Sequence, residues 1–389
     1  MIKSRNDFVL KKEYDVLVIG AGVSGISAAF SAKREGKTVC IIEKAVSIGG
    51  LATNGLVNWY EPLCDGSSKK IMSGLAEELL KLSIKDGIST LDPKWLNDGV
   101  STKGRYSTFF SPTLFAVRLN ELLASNNIDI RYDSLATYPI LEGNKVTGII
   151  VETVSGTELY EAKVVIDATG TAIIFDRAGA PCEKGQNYLG YLTYIADFNG
   201  DIKERIDLRK WVYSGSNMHG YGHPEGYDLL VGDTSDDVNL MITKGQLLLF
   251  DKIKQYDNAE IVNTPSIPQF RMIKHMVGEY ELTDEDFNQR FDDSVGVVGN
   301  YLQKDDWLEI PYRSLYNKDF PNLLPAGRII SASGKAWDVT RVIPAAVLTG
   351  EVVGIVASMM IDNSISASEI DIEKLQEKLK DNGLILHYE

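Results

Sequence analysis

The chain has 389 residues, 44% hydrophobic and 24% charged, an ordinary globular mixture long enough for two domains or one large one. Its 40 basic and 54 acidic residues leave a net charge of −14. That balance argues against nucleic acid or an anionic membrane surface as the main partner.

The start, "MIKSRNDFVLKKE", is polar and lacks the apolar core of a signal peptide. No run reaches the roughly 18 apolar residues of a membrane helix, so the expectation is a cytoplasmic protein with no integral membrane segment. "DVLVIG" then reads as a strand buried on both faces, Val23, Ile26, Ala29 and Phe30 as a helix ending at Gly36, and "TVCIIE" as the next strand. Ile71, Leu75, Leu79 and Leu82 share one helical stripe, and residues 87–110 are polar, aromatic and irregular. Leu114, Val117, Leu119, Leu122 and Leu123 mark another helix, and the stretch from Ile128 to Asp167 reads as several short strands joined by turns at "EGNK" and "VSGT". After about residue 180 the composition shifts toward Tyr, Asp and Gly, with helical patches predicted near 240–256 and 268–280. A short strand, a loop and a long small-residue helix follow in "NLLPAGRIISASGKAWDVTRVIPAAVLTGEVVGIVASMM", and Ile370, Leu375, Leu379 and Leu384 predict an outer helix. Three cysteines (Cys40, Cys64 and Cys182), no C-x-x-C and four histidines without ligand spacing point to no disulfide framework and no metal site.

Gly20, Gly22 and Gly25 form G-x-G-x-x-G directly after a strand. The first glycine permits a tight turn, the second clears space for a pyrophosphate, and the third lets the helix approach the sheet. The helix then offers its free N–H groups to the phosphates. Glu43 closes the next strand at the spacing of a carboxylate that holds a ribose diol and repels a 2′-phosphate. FAD and NAD share this ADP half, so the motif alone leaves both open. Three further features favour a flavin: the Gly49-Gly50 pair with Thr53 just after Glu43, the turn after "KVVIDATG" that returns Thr169 and Gly170 to the first loop, and a helix start near Pro344 able to aim amides at a flavin carbonyl.

Taken in order, "GAGVSGISAAFSAKREG", "GGLATNG", "VVIDATG", "RAGAP", "IPYRSL", "NLLPAGRIISAS" and "RVIPAAVLTGEVVG" resemble the FAD-dependent oxidoreductases related to fumarate reductase and succinate dehydrogenase flavoproteins. The nearest resemblance is to a bacterial group of mostly unassigned substrate. The resemblance implies a Rossmann-like FAD-binding α/β domain of the glutathione-reductase type in two parts, residues 11–180 and 311–389, with an inserted α+β substrate domain at 181–310. It implies that Gly20, Gly22, Val23, Ser24, Gly25, Glu43 and Lys44 hold the ADP part, with Ala136 behind the adenine. Gly50, Leu51, Ala52 and Thr53 would line the ribityl and flavin region beside Thr169 and Gly170. Gly327 and Arg328 would flank the pyrophosphate, and Val342, Ile343, Pro344 and Ala345 the pyrimidine edge. Two departures concern the substrate: "ATGTAI" lacks an acidic pair found around Thr171 in relatives, and "ISASGKA" has Gly334 and Lys335 where relatives carry His and Glu.

Arg271, His219 and Arg341 are the candidate catalytic residues. Arg271 reads either as a fork for a substrate carboxylate or as a salt bridge to Glu279 or Asp284, with His275 one helical turn on. His219 and His223 read either as pocket linings able to move a proton or as loop histidines making structural hydrogen bonds. Arg341 stands before the Pro344 helix, where it would neutralise a reduced flavin or hold an anion. Asn54, Asn58, Trp59 and Tyr60 are further candidates for the flavin wall. The expected function is hydride transfer between FAD and a small organic metabolite, carboxylate-bearing if Arg271 is its fork, with a redox partner as one route for electrons. A non-catalytic flavoprotein scaffold and a flavin monooxygenase are the alternatives.

Overall fold

The computed structural model describes residues 8, 10–67, 69–97, 105–197 and 209–389. Most of the polar start, part of the irregular 87–110 stretch and residues 198–208 lie outside the described residues.

Strand β1 (Leu10–Ile19) feeds helix α1 (Val23–Arg34), which returns to β2 (Val39–Ile42). The two apolar runs are buried on both faces and pair in parallel, Val16 beside Val39 and Ile19 beside Ile42. A short antiparallel pair, β3 (Trp59–Tyr60) with β4 (Thr108–Phe109), brackets helices α2 (Leu75–Ile84) and α3 (Lys94–Asn97). The stripe beginning at Ile71 is helical only from Leu75, because Gly74 turns the chain at φ +62°. Helix α4 (Pro112–Ser125) follows, then β5 (Asp129–Arg131), β6 (Leu135–Glu142), β7 (Lys145–Thr153) and β8 (Gly156–Asp167). These strands build a mixed sheet in the order β5-β2-β1-β8-β7-β6.

Beyond α5 (Ile173–Ala178) and β9 (Cys182–Lys184), strands β10 (Gly190–Asp197) and β11 (Arg209–Gly215) form a separate antiparallel sheet. Helix α6 (Ser235–Ile253) packs on it, and β12 (Ala259–Asn263) completes it in the order β11-β10-β12. The helix expected near 240–256 is therefore present, but the one at 268–280 is not. There the Asn187 side chain accepts the amides of Arg271 (2.7 Å) and Met272 (3.0 Å), which removes them from any helical ladder. Strand β13 (Lys274–Met276) then pairs with β9, His275 opposite Glu183. Arg271 and His275 consequently share no helical face.

The hairpin β14 (Ser294–Gly299) and β15 (Trp307–Pro311) precedes β16 (Leu323–Pro325), α7 (Gly334–Thr340), α8 (Ile343–Asn363) and α9 (Ile372–Asp381). β8 is long enough to serve two neighbours: its first half pairs with β7, and its last residues run parallel to β16. The register aligns Ile19, Asp167 and Pro325, so three strand ends meet at one edge of the sheet.

By length and composition α8 could cross a membrane, which corrects the expectation that no segment reaches that size. Its apolar window is wholly buried, however, because two glycines let it lie against α1 at backbone distance. A Cβ on Gly350 would stand 2.2 Å from the Ser24 carbonyl oxygen, and one on Gly354 would stand 2.4 Å from that of Ala28. Gly350→Ala must force the two helices apart, a change expected to cost roughly 1–3 kcal/mol and to lower the apo-protein's Tm.

The same helix buries Glu351, whose Oε2 accepts the Leu75 amide (2.8 Å) and so caps α2. Burial pushes its carboxyl up to about 8, with Glu78 adding to the effect. A raised folded-state value means the native protein holds this proton more tightly than the unfolded chain. That stability is complete below the ordinary glutamate range and drains away as pH rises through about 8. Glu351→Gln, which keeps the acceptor without the charge, is expected to flatten the fall in Tm between pH 6 and 8.5. Parallel profiles for the two proteins would show that Glu351 does not control it.

Candidate functional site

Each glycine of the first loop meets a different demand. Gly20 turns at φ +101°, and a Cβ there would lie 2.7 Å from the Ala168 carbonyl oxygen. A Cβ on Gly25 would fall 2.0 Å from the Gly20 oxygen, so no side chain fits under α1. Gly22 has no protein atom within 4 Å of the Cβ position, which opens into a cavity. No side chain caps α1 and no acid occupies its first turn, leaving that helix end to an anion.

Glu43, 9% exposed, accepts the Ala21 amide at Oε2 (2.6 Å) and the Ala45 amide at Oε1 (2.8 Å). Its oxygens are thereby fixed at the cavity wall with lone pairs left for a diol. The Gly49 amide donates to the Ala21 oxygen (2.7 Å), and a Cβ on Gly50 would touch the Gly22 Cα at 3.1 Å. The second glycine pair thus lies directly on the first loop. Thr53 turns away from the cavity and donates to the Ile48 oxygen (2.5 Å), fastening this segment.

From the neighbouring strand end, buried Asp167 accepts the Thr169 amide (3.0 Å) and hydroxyl (2.6 Å) and the Ile174 amide (2.9 Å). Burial pushes its carboxyl up, against these hydrogen bonds. It acts as the brace of the "DATG" turn. Arg328 Nε donates to the Gly170 oxygen (2.6 Å), and the Gly327 amide to Thr349 Oγ1 (3.0 Å). The ends of β1, β8 and β16 are tied together in this way.

They surround a cavity of about 360 Å³. Of the residues the sequence singles out, Gly20, Gly22, Val23, Ser24, Glu43, Lys44, Gly50, Leu51, Ala52, Asn54, Ala136, Thr169, Gly170, Arg328, Arg341 and Ile343 line it. Gly25, Thr53, Gly327, Val342, Pro344 and Ala345 sit behind that wall. Gly327 leans on Ser24, and the buried residues of α8 pack on α1. Sequence reasoning missed the face contributed by Gly232, Val238, Ile267, Pro268, Phe270 and Ile273, which the tertiary fold brings to the cavity from helix α6 and from the loops on either side of it.

A second, smaller cavity of about 70 Å³ adjoins at Arg341, which lines both. Arg271, Tyr213, Gln269, Ser216, Asn217 and Asp338 are among its walls. The Tyr213 phenol lies beside Arg271, and no carboxylate among the described residues forms an ion pair with it. The alternative partners are engaged elsewhere: Glu279 pairs with Lys318 (3.2 Å), and Asp284 accepts the Lys335 amide (2.5 Å). Burial, then the neighbouring Arg341 guanidinium, lowers the pKa of Arg271. Arg328 is pushed down to about 10 by burial, Arg341 and Arg271. Arg341, its side chain 9% exposed, pairs with Asp338, and its Nε is buried without a hydrogen-bond partner among the described residues. Three guanidinium groups thus crowd one partly dehydrated region, which favours any anion that enters it.

The histidines divide otherwise. His219 is exposed and lines neither cavity. His223 accepts the Leu189 amide at Nδ1 (3.1 Å) and donates from Nε2 to the Tyr227 oxygen (2.9 Å), a structural pair of bonds. His275 is buried edge-on to Trp337. Asn58 and Tyr60 are spent inside the fold on the Phe110 and Ala76 carbonyls, and Trp59 packs at a tilt against Phe109. Cys64 is buried and accepts the Tyr106 amide at Sγ (3.4 Å).

Residues 15–192 and 217–379 match the family described as FAD dependent oxidoreductase. The chain belongs to that family, and its cofactor is FAD. The open space at Gly22, the uncapped α1 and the positive end of the cavity fit a dinucleotide with a two-phosphate link. Digeranylgeranylglycerophospholipid reductase of Methanoculleus marisnigri is 29% identical over 190 residues, 43% of this chain and 41% of that protein. A probable electron transfer flavoprotein-quinone oxidoreductase, YdiS of Escherichia coli, is 26% identical over 224 residues, 54% of this chain and 50% of that protein. The chain therefore spans about half or less of the curated relatives it matches. Among solved structures, p-nitrophenol 4-monooxygenase PnpA from Pseudomonas putida DLL-E4 shares the fold, with a TM-score of 0.52 and 12% identity over 96% of this chain and 89% of that one.

Two substitutions in one loop should fail differently. Gly22→Asp puts a carboxylate into the cavity where phosphate belongs, so folded but colourless protein is expected. Gly25→Ala collides with backbone and is expected to lower Tm even before FAD is added. Full FAD occupancy in Gly22→Asp, read from the flavin-to-protein absorbance ratio, would contradict this placement of the loop.

Proposed function

We propose that the protein transfers a hydride between FAD and a small carboxylate-bearing metabolite, which Arg271 and Arg341 hold at the junction of the two cavities. The observation that carries this reading is the pair of guanidinium groups lining the smaller cavity, one of them, Arg341, also lining the large cavity and keeping a buried Nε without a hydrogen-bond partner among the described residues. Arg271 has no acidic partner among the described residues, and leaving it unmatched in a dehydrated pocket is costly unless an anion arrives. Its planar fork suits a carboxylate, and Gln269 and Tyr213 add polar groups around the remainder of a small molecule.

Bound FAD supplies the electron-pair acceptor or donor. The protein's part is to fix the anion, with Asp338 orienting Arg341 from behind. Phe270, Ile267 and Ile273 keep that side of the large cavity apolar. On this reading residues 181–310 are the substrate domain, since Arg271, Gln269 and Tyr213 all come from them. The sequence resemblance to fumarate reductase and succinate dehydrogenase flavoproteins supports the same substrate class. The likeness to a flavoprotein-quinone oxidoreductase supports a separate redox partner for the electrons.

An anaerobic absorbance screen tests this directly. Small mono- and dicarboxylates should bleach the bound flavin, or reoxidise it after photoreduction, while their amide analogues should not. Amides that react as well as the acids would sink the assignment. Arg271→Ala should retain FAD yet lose about 10- to 100-fold in kcat/KM, the scale of charge-assisted hydrogen bonds worth roughly 1.5–3 kcal/mol. Arg271→Lys should recover only part of the loss, because an ammonium lacks the fork.

A further inference from the structure

Glu61 follows β3 and is 9% exposed. Its Oε2 is buried with no hydrogen-bond partner among the described residues. The backbone amides of Ile343, the first residue of α8, and of Glu61 itself lie near its carboxyl and favour the anion. Ile343 and Arg341 both line the large cavity, so Glu61 stands immediately behind the cavity wall. The charged groups acting on it are Arg341, at the end of α7, and Arg271, before β13. Two phenols adjoin, Tyr60 of β3 and Tyr301 after β14, and burial holds both neutral by raising their pKa.

Burial pushes the Glu61 carboxyl up to about 7, while Arg341, Arg271 and the two amides pull the other way. Dehydration outweighs attraction by enough to bring the change of protonation state to neutral pH, where a small change of charge nearby decides which state is held. The nearest place for such a change is the cavity itself. Negative charge arriving beside Arg341 takes up part of the field that sustains the Glu61 anion, and the carboxyl then binds a proton. The buried Arg341 Nε, also without a partner among the described residues, marks a guanidinium poised between these two claims.

We propose that Glu61 is a proton-holding residue of the cofactor cavity, taking one proton from solvent when FAD is reduced and returning it on reoxidation. The balance closes. Two electrons and one proton entering FAD add one negative charge, and one proton added to the Glu61 carboxylate cancels it. Glu61 works through Arg341 and the first turn of α8 and touches no reacting atom, so its role is positioning and charge compensation. The inference depends on FAD in the cavity and is independent of which metabolite is oxidised or reduced.

The test is potentiometry of the FAD-loaded full chain from pH 6 to 9, with dithionite and mediator dyes. Each proton taken up per two electrons moves the midpoint by about 30 mV per pH unit. The unsubstituted protein should show a two-proton slope of about 60 mV per unit above pH 7, and Glu61→Gln about 30 mV per unit throughout. Glu61→Asp should restore the steeper slope over part of that range. Equal slopes in the unsubstituted and Gln proteins overturn the proposal. If Glu61→Gln does not retain FAD, the unsubstituted protein decides alone. Its reduced-minus-oxidised infrared spectrum at pH 8 should gain a carboxylic acid C=O band that shifts on 13C-glutamate labelling, and a spectrum without that band overturns the proposal.

Discussion

The whole site hangs on a close approach of backbone to backbone around α1. Gly25 lets the helix sit on the Gly20 turn, and Gly350 and Gly354 let α8 lie against its other side. The Gly20 turn, α1 and the distant α8 are thus held at distances that no Cβ permits. The free amide end of α1 faces the edge where β1, β8 and β16 stop, and α8 begins at the same cavity. A side chain at any of these glycines displaces a helix, so the cofactor cavity and the core are one construction. That coupling explains why a helix apolar enough for a membrane is buried here in protein.

Charge is the second determinant, and it follows from the first. The arginines are embedded in the cavity walls, so Arg271, Arg328 and Arg341 feel one another, and burial pulls the pKa of Arg271 and Arg328 down. In bulk water three such groups would be screened and indifferent to one another. Inside, they make the junction of the two cavities a place for anions, and Arg341 and Arg271 work against the burial that raises the Glu61 carboxyl. The net charge of −14 would discourage an anionic ligand at long range, which makes this local inversion of sign the more specific feature.

Much of the glycine-loop side of the cavity was legible in the linear chain. Gly20, Gly22, Gly25 and Glu43 are separated by one strand–helix–strand unit, and a local unit of that kind leaves a local spacing. The strands from Ile128 to Asp167, α4, α6 and α9 follow in the same way from periodicity and turn residues. The failure at 268–280 has a definite cause. Apolar spacing there imitates a helix, but Asn187, more than eighty positions earlier, captures the Arg271 and Met272 amides. His219 misled for a related reason: aromatic neighbours in a sequence suggest a pocket, whereas its side chain is exposed.

Sequence by itself determined where phosphate-sized space must open and which carboxylate stands beside it, because sterics at a glycine and the reach of a strand act over a few residues. It also put Arg271 and Arg341 forward one at a time, Arg271 with an ordinary salt bridge as an equal reading. Only tertiary structure decided that the two guanidinium groups share one junction, that Glu279 and Asp284 are occupied elsewhere, and that Glu61 lies behind them. The physical reason is that burial and electrostatic balance are properties of an enclosed volume. Residues some two hundred positions apart contribute to that volume, and no local pattern records their meeting.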